Sequence, residues 1–184
     1  MLIDLFVEYL TGDFNNQRQI EEEHGGHPRA VHINRECTHR IAGLPSDCKD
    51  RFILEESYYT KADGTQLSTP HLFGVRLNSN NCIELRAYKM PKHLTEKDFV
   101  NSNEHLGLTF EGLKLSDNFG VMQYSYDTHT GFVGELRNEY PNGITFTLTE
   151  VISQNRLEVM ELMEKNGAQL TSYSTPIIYE KIGG

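Results

Sequence analysis

The chain has 184 residues and a mass of 21.1 kDa, with 38% hydrophobic and 23% charged side chains. That is enough for one sizeable core and too apolar for a disordered chain. Lys and Arg total 17 against 26 Asp and Glu, a formal net charge of −9, and no basic stripe is visible. Nucleic acid and anionic membrane surfaces are therefore disfavoured as principal ligands.

No apolar run approaches the roughly 18 residues that a membrane span needs. Met1 to Leu10 is apolar but carries Asp4 and Glu8 and lacks a basic start, so it does not read as a secretory signal. Cys37, Cys48 and Cys82 are an odd number without CxxC spacing, which suits free thiols in a reducing compartment. The expectation is one acidic cytoplasmic domain over residues 1–184.

Leu2, Ile3, Leu5, Phe6, Tyr9 and Leu10 recur at helical spacing and predict an opening amphipathic helix. Thr11-Gly12 interrupts it. Asp13 is positioned to cap a second helix running from Phe14 through Ile20 to Glu23, which His24-Gly25-Gly26-His27-Pro28 ends. Helices are thus expected over 1–24 and a barrel over 29–182.

After Pro28 the pattern turns to strands. Ala30 to Ile41, Phe52 to Thr60, His71 to Leu77 and Cys82 to Met90 read as strands. Asp63-Gly64 and Asn78-Ser79-Asn80-Asn81 supply turns. Leu94 to Ser102 is a short helical candidate. Phe119 to Asp127 and Phe132 to Glu139 flank a turn at Gly131, and in Ile144 to Ser153 apolar residues alternate with threonines. Arg156 to Lys165 has a helical composition, but Asn166-Gly167 behind it is a hairpin signal, and Gln169 to Lys181 is again strand-like. We read Arg156 to Lys165 as a strand. About nine or ten strands at hairpin spacing predict a mainly β protein, an antiparallel meander closed into a barrel that can enclose a small ligand.

His24, His27, His32 and His39, with Cys37 and Cys48, match no standard zinc spacing, so no metal site is expected. Nucleophile elbow, Walker loop and dinucleotide fingerprint are all missing. More informative are polar stripes at period two. Glu84, Arg86 and Tyr88 share one face and Ile83, Leu85 and Ala87 the other; Glu55 and Tyr59 share a face opposite Glu56 and Tyr58; Val133, Glu135 and Arg137 form a third stripe. Alternation alone favours a solvated outer face. The alternative is a polar lumen, in which a carboxylate accepts ligand N–H groups and an arginine grips a ligand carboxylate.

The segment Tyr9-Leu10-Thr11-Gly12-Asp13-Phe14-Asn15-Asn16-Gln17-Arg18-Gln19 resembles the opening of the T-type phycobiliprotein (chromophore) lyases, the CpcT/CpeT family. Gly12, Phe14, Asn16 and Gln19 occupy the places of that family's motif. Phe52 to Tyr58 is similar to the strand that follows, with Glu56 where a glutamine is expected. Pro70 to Leu77 keeps only Arg76 of a stretch otherwise richer in Tyr and Arg, and the last third diverges and has no tryptophan. The chain is similar to an outlying, phage-borne CpeT-like member.

The resemblance implies a calycin- or lipocalin-like antiparallel barrel with short N-terminal helices packed outside. It implies a lyase that binds an open-chain tetrapyrrole, phycoerythrobilin or phycocyanobilin, and delivers it to a cysteine of a phycobiliprotein β-subunit, where a thioether forms. The pigment is substrate; no permanently bound cofactor is implied. The setting would be the cytoplasm of a cyanobacterium, or of an infected host, and the reading leaves room for a homodimer. By strand position, Glu55, Glu84 and Asp127 are the candidates for the pyrrole nitrogens. Arg76, Arg86 and Arg137 are those for the propionates, and Tyr58, Tyr88 and Tyr124 those for stacking. The competing expectation is a lipocalin-like carrier of an apolar small molecule, without transfer chemistry.

Overall fold

The computed structural model describes every residue except His24, Gly25, Ala62, Ser172 and Gly184. It opens with helix α1 (Leu2–Leu10), strand β1 (Gly12–Asn15), helix α2 (Gln17–Glu23) and strand β2 (Arg29–Glu36). A two-residue strand β3 (Ile41–Ala42) precedes β4 (Arg51–Thr60), β5 (Gln66–Leu77) and β6 (Ile83–Tyr88). After the short β7 (Leu108–Thr109) come β8 (Val121–Asp127), β9 (Gly131–Tyr140), β10 (Ile144–Ser153) and β11 (Arg156–Lys165). A short β12 (Ala168–Gln169) and β13 (Ile177–Ile182) end the chain.

Among the described residues ten strands close a barrel, in the order β10-β9-β8-β6-β5-β4-β2-β1-β13-β11, with β11 returning to β10. Every pairing in it is antiparallel. β12 extends the edge of β11, and β3 and β7 form a separate parallel pair. Closure removes the exposed edges that an open sheet of this size would present. The expected mainly β, calycin-like barrel is what the chain forms.

The barrel begins earlier than its sequence suggests. Gly12–Asn15 is not part of a helix but a barrel strand, pairing β2 on one side and β13 on the other. The opening motif explains why it stays there. Phe14 is fully buried. Asn16 donates from Nδ2 to the Pro28 carbonyl at 2.8 Å, and its Oδ1 accepts the Ala30 amide at 2.8 Å. Gln19 does the same for the far end of the chain, donating to the Pro176 carbonyl and accepting the Ile178 amide. These side chains satisfy backbone groups that the short strand leaves unpaired. α2 therefore starts only at Gln17, whose amide is capped by the Asn15 side chain.

α1 lies outside the strand wall, across one end of the barrel. Ile3, Phe6, Val7 and Leu10 are buried in one cluster with inward-facing strand residues such as Ile53, Val75, Ile83 and Leu85. Phe6 meets Tyr124 and Phe132 edge-on, with ring centres 4.9 and 5.0 Å away. A second apolar cluster sits on the outer face of β4 and β5. There Phe52, Leu54 and Leu72 are covered by Cys37, Ile41, Phe99, Leu106 and Leu108. Leu94 to Ser102 belongs to this cover and is a series of turns, not the helix its sequence suggests. Local side-chain bonds compete with helix there. Asp98 accepts from the Thr95 amide and hydroxyl, and Asn101 donates across to the carbonyls of Ile33 and Leu54.

Candidate functional site

Inside the barrel is a cavity of about 390 Å³. This is within the range of small-molecule sites. Leu10, the last residue of α1, contributes to its floor, and Phe73, Phe119, Phe146 and Leu148 supply apolar wall. The polar lining comes from alternate positions of four strands: His32 on β2, Glu55, Ser57 and Tyr59 on β4, His71 on β5 and Glu150 on β10. Glu161 on β11 also faces the cavity. Two further hollows, of about 470 and 310 Å³, share Glu161 with it and meet at Tyr173. The space thus continues outward past Glu161, at the end away from α1.

Glu55 is the centre of the polar network. The Ser57 hydroxyl donates to its Oε1 at 3.0 Å. His32 Nδ1 stands 3.5 Å from Oε2, an ion-pair separation without hydrogen-bond geometry, and that ring is packed 4.4 Å from Tyr179. His71 is the cross-strand partner of Glu55. Burial acts to raise the Glu55 carboxyl. The charge and contact of His32, with His71 and the Ser57 hydroxyl, outweigh burial and hold it down at about 2.

Glu150 has the opposite balance. Burial, aided by the negative charge of Glu55, pushes it up to about 7, although the Tyr124 hydroxyl donates to its Oε2. Glu161 is also raised, by burial and then by Glu55, against the pull of His32. One cavity thus holds a carboxylate fixed in its ionised form and two carboxyls biased towards the protonated form, the kind of split that separates acceptor from donor roles.

Of the sequence candidates, Glu55 lines this lumen, and Tyr124 is buried in the core behind it, donating to Glu150. The stripe of Glu84, Arg86 and Tyr88 does not: Ile83, Leu85 and Ala87 are the inward residues of β6. The lumen near α1 is apolar, so the apolar face of β6 turns in. Arg86 pairs with Glu84 at 2.6 Å on the outside, and Arg76 binds Asp50 through two nitrogens at 3.0 and 2.7 Å. These residues line an outer cleft of about 640 Å³ with Lys49. Tyr88 packs outside on Phe52, and the Tyr58 hydroxyl donates to the outward Glu56. Arg137 is exposed beside Glu139, and exposed Asp127 accepts the His129 and Thr130 amides in the β8–β9 turn.

The sequence reading passed over His71, Glu150 and Glu161, and weighed His32 only as a zinc ligand. Their signal was present: Glu150 interrupts the inward apolar series Ile144, Phe146 and Leu148, and Glu161 follows Leu157 and Val159. Among the described residues no three His, Cys, Asp or Glu side chains are grouped to hold a metal ion. Of the histidines weighed for zinc, His24 lies outside the described residues. Cys37 is buried under the outer cover, and burial pushes its thiol up to about 12.

The solved structure of the CRL protein of Arabidopsis, in selenomethionine form, has the same fold. Its TM-score is 0.66 at 11% identity, with 97% of this chain and 96% of that one covered. At that identity the likeness is one of fold. No family model and no curated protein sequence matches the chain. Among the described residues no helix is long and apolar enough to cross a membrane.

Proposed function

We propose that the barrel is a phycobilin lyase: it takes phycoerythrobilin or phycocyanobilin into its lumen and presents it to a cysteine of a phycobiliprotein β-subunit, in the cytoplasm of a cyanobacterium or of its infected cell. The observation that carries this reading is Glu55, a carboxylate held ionised inside an aromatic-walled cavity that opens at one end. Pyrrole N–H groups are donors and need such an acceptor. Phe73, Phe119 and Phe146 offer apolar surface to the conjugated faces. The thioether forms by addition, with no leaving group to expel, so the protein's contribution is to hold one conformer with its reactive edge towards the client. The thiol comes from the client, in keeping with the burial of Cys37 and the placing of Cys48 and Cys82 outside the lumen lining. The pigment's propionates would extend past Tyr173 to the mouth, where Lys61 stands.

One observation favours a plain carrier instead. Among the described residues lining the lumen there is no arginine or lysine to neutralise two propionates. Co-expression with a bilin-synthesis pathway and a β-subunit separates the readings. A lyase leaves covalent pigment on the client; a bilin carrier gives only a shifted, sharpened pigment spectrum. Neither signal would reject the bilin and leave the carrier of an apolar molecule.

A further inference from the structure

Three carboxyl groups enter the lumen from three strands, Glu55 from β4, Glu150 from β10 and Glu161 from β11. Glu150 and Glu161 are diagonal neighbours on paired strands, since Glu150 faces Val159 and Leu148 faces Glu161. The basic side chains among the described lining residues are His32, which stands at ion-pair distance from Glu55, and His71, the cross-strand partner of Glu55, stacked on Phe73. The phenols that face the group, Tyr59, Tyr124 and Tyr179, with Tyr173 at the mouth, are all raised by burial and stay neutral. Glu55 has its counter-charge at ion-pair distance; among the described residues Glu150 and Glu161 make no ion pair, feel His32 only as a weaker opposing pull, and Glu161 shares its outer hollow with His27 and Lys61. Two neighbouring carboxyls drawn into the barrel in this way resist ionising together unless positive charge or donors arrive.

We propose that Glu150 and Glu161 form a proton gate on loading: they keep the empty lumen near neutral, and give up protons to water when a ligand bearing positive charge or several N–H donors enters, so that such a ligand is held more tightly as pH rises. The gate regulates the lumen assigned above and rests on that lumen being the ligand site. It also explains a lumen lining with three acids and, among the described residues, no lysine or arginine. The elevated affinity of Glu150 for its proton, set by burial and by Glu55, places the transition near neutrality.

Proflavine, a planar organic cation with N–H donors, tests the gate without the pigment. Its fluorescence titration should show binding that tightens as pH rises to about 7 and levels off above it, by up to about tenfold per unit for each proton released. In a Glu150→Gln/Glu161→Gln double variant that extra slope should vanish. All other groups are the same in both proteins, so the difference between the slopes is the readout. Glu150→Gln alone keeps an acceptor for Tyr124 and serves if the double variant does not fold. Equal slopes, or no proflavine uptake at any pH, would overturn the gate. Phycocyanobilin separates this from the lyase reading. Pigment unbound at every pH while proflavine follows the gate rejects the bilin and keeps the gate. Pigment bound with equal slopes rejects the gate and keeps the bilin.

Discussion

Glu55 and Glu84 carry the same group into opposite surroundings. Glu55 sits in the lumen against His32, whereas Glu84 faces outward and shares its charge with Arg86. Arg86→Ala should therefore leave pigment affinity unchanged and shift stability by no more than about 1 kcal/mol, as for other part-exposed pairs. Glu55→Gln should weaken pigment binding by about 2–5 kcal/mol, at least about thirtyfold, because the ligand's donors lose their charged partner. Spectral titration of both variants with thermal melts alongside checks this, and wild-type affinity in Glu55→Gln would remove the proposed N–H contact. Period-two alternation showed that Glu84, Arg86 and Tyr88 share a face, and that Glu55 and Tyr59 do. It could not show which face turns inward. β4 is buried on both sides, under the outer cover and around the lumen, and the lumen changes from apolar near α1 to acidic at mid-height. A polar stripe therefore points in on β4 and out on β6.

Hairpins were the legible elements, because their signals are local. β10 and β11 run over the residues expected of them, joined elsewhere by Asn-Gly turns. At Asn166-Gly167 both residues have positive φ, 51° and 81°, which suits the twist of a tight hairpin. β1 was not legible, since four residues become a strand only by pairing with β2 and β13, the latter at the far end of the chain. The cover over Leu94 to Ser102 was missed for a similar reason: Phe99 and Asn101 are anchored to β2 and β4, not to their own neighbours. β9 makes a testable demand of its own. A Cβ at Gly134 would lie 2.6 Å from the Tyr124 ring, which is wedged between Phe6 and the Glu150 carboxyl. Gly134→Ala should destabilise the barrel by about 1–3 kcal/mol through overpacking. Because Tyr124 must move off Glu150, the same variant should also alter the pH dependence of proflavine binding. An unchanged denaturation midpoint would refute the close packing.

For the whole molecule, the acidic lumen sets how stability depends on pH. Glu55 sits at about 2 in the folded barrel against an ordinary 4.5. Between those values the unfolded chain binds the extra proton, so stability is lost as pH falls through the window. Glu150 sits at about 7 against the same 4.5, so there the folded barrel binds the extra proton and stability is lost as pH rises through it. Glu161 is raised too and acts in the same direction as Glu150. The two windows meet close to pH 4.5. The lumen's contribution should therefore be greatest on the acid side of neutrality, and Glu150 alone should withdraw on the order of 3 kcal/mol by the time its proton has gone. A charge forced into a closed barrel is costly because no edge can open to hydrate it without breaking strand pairs. Denaturant unfolding of the empty protein at a series of pH values measures this directly. Wild type should weaken steadily from about pH 5 to about pH 7.5, and Glu150→Gln should weaken much less. Parallel curves for the two proteins would mean that the Glu150 carboxyl is hydrated in the folded state, and that the lumen is wetter than its lining implies.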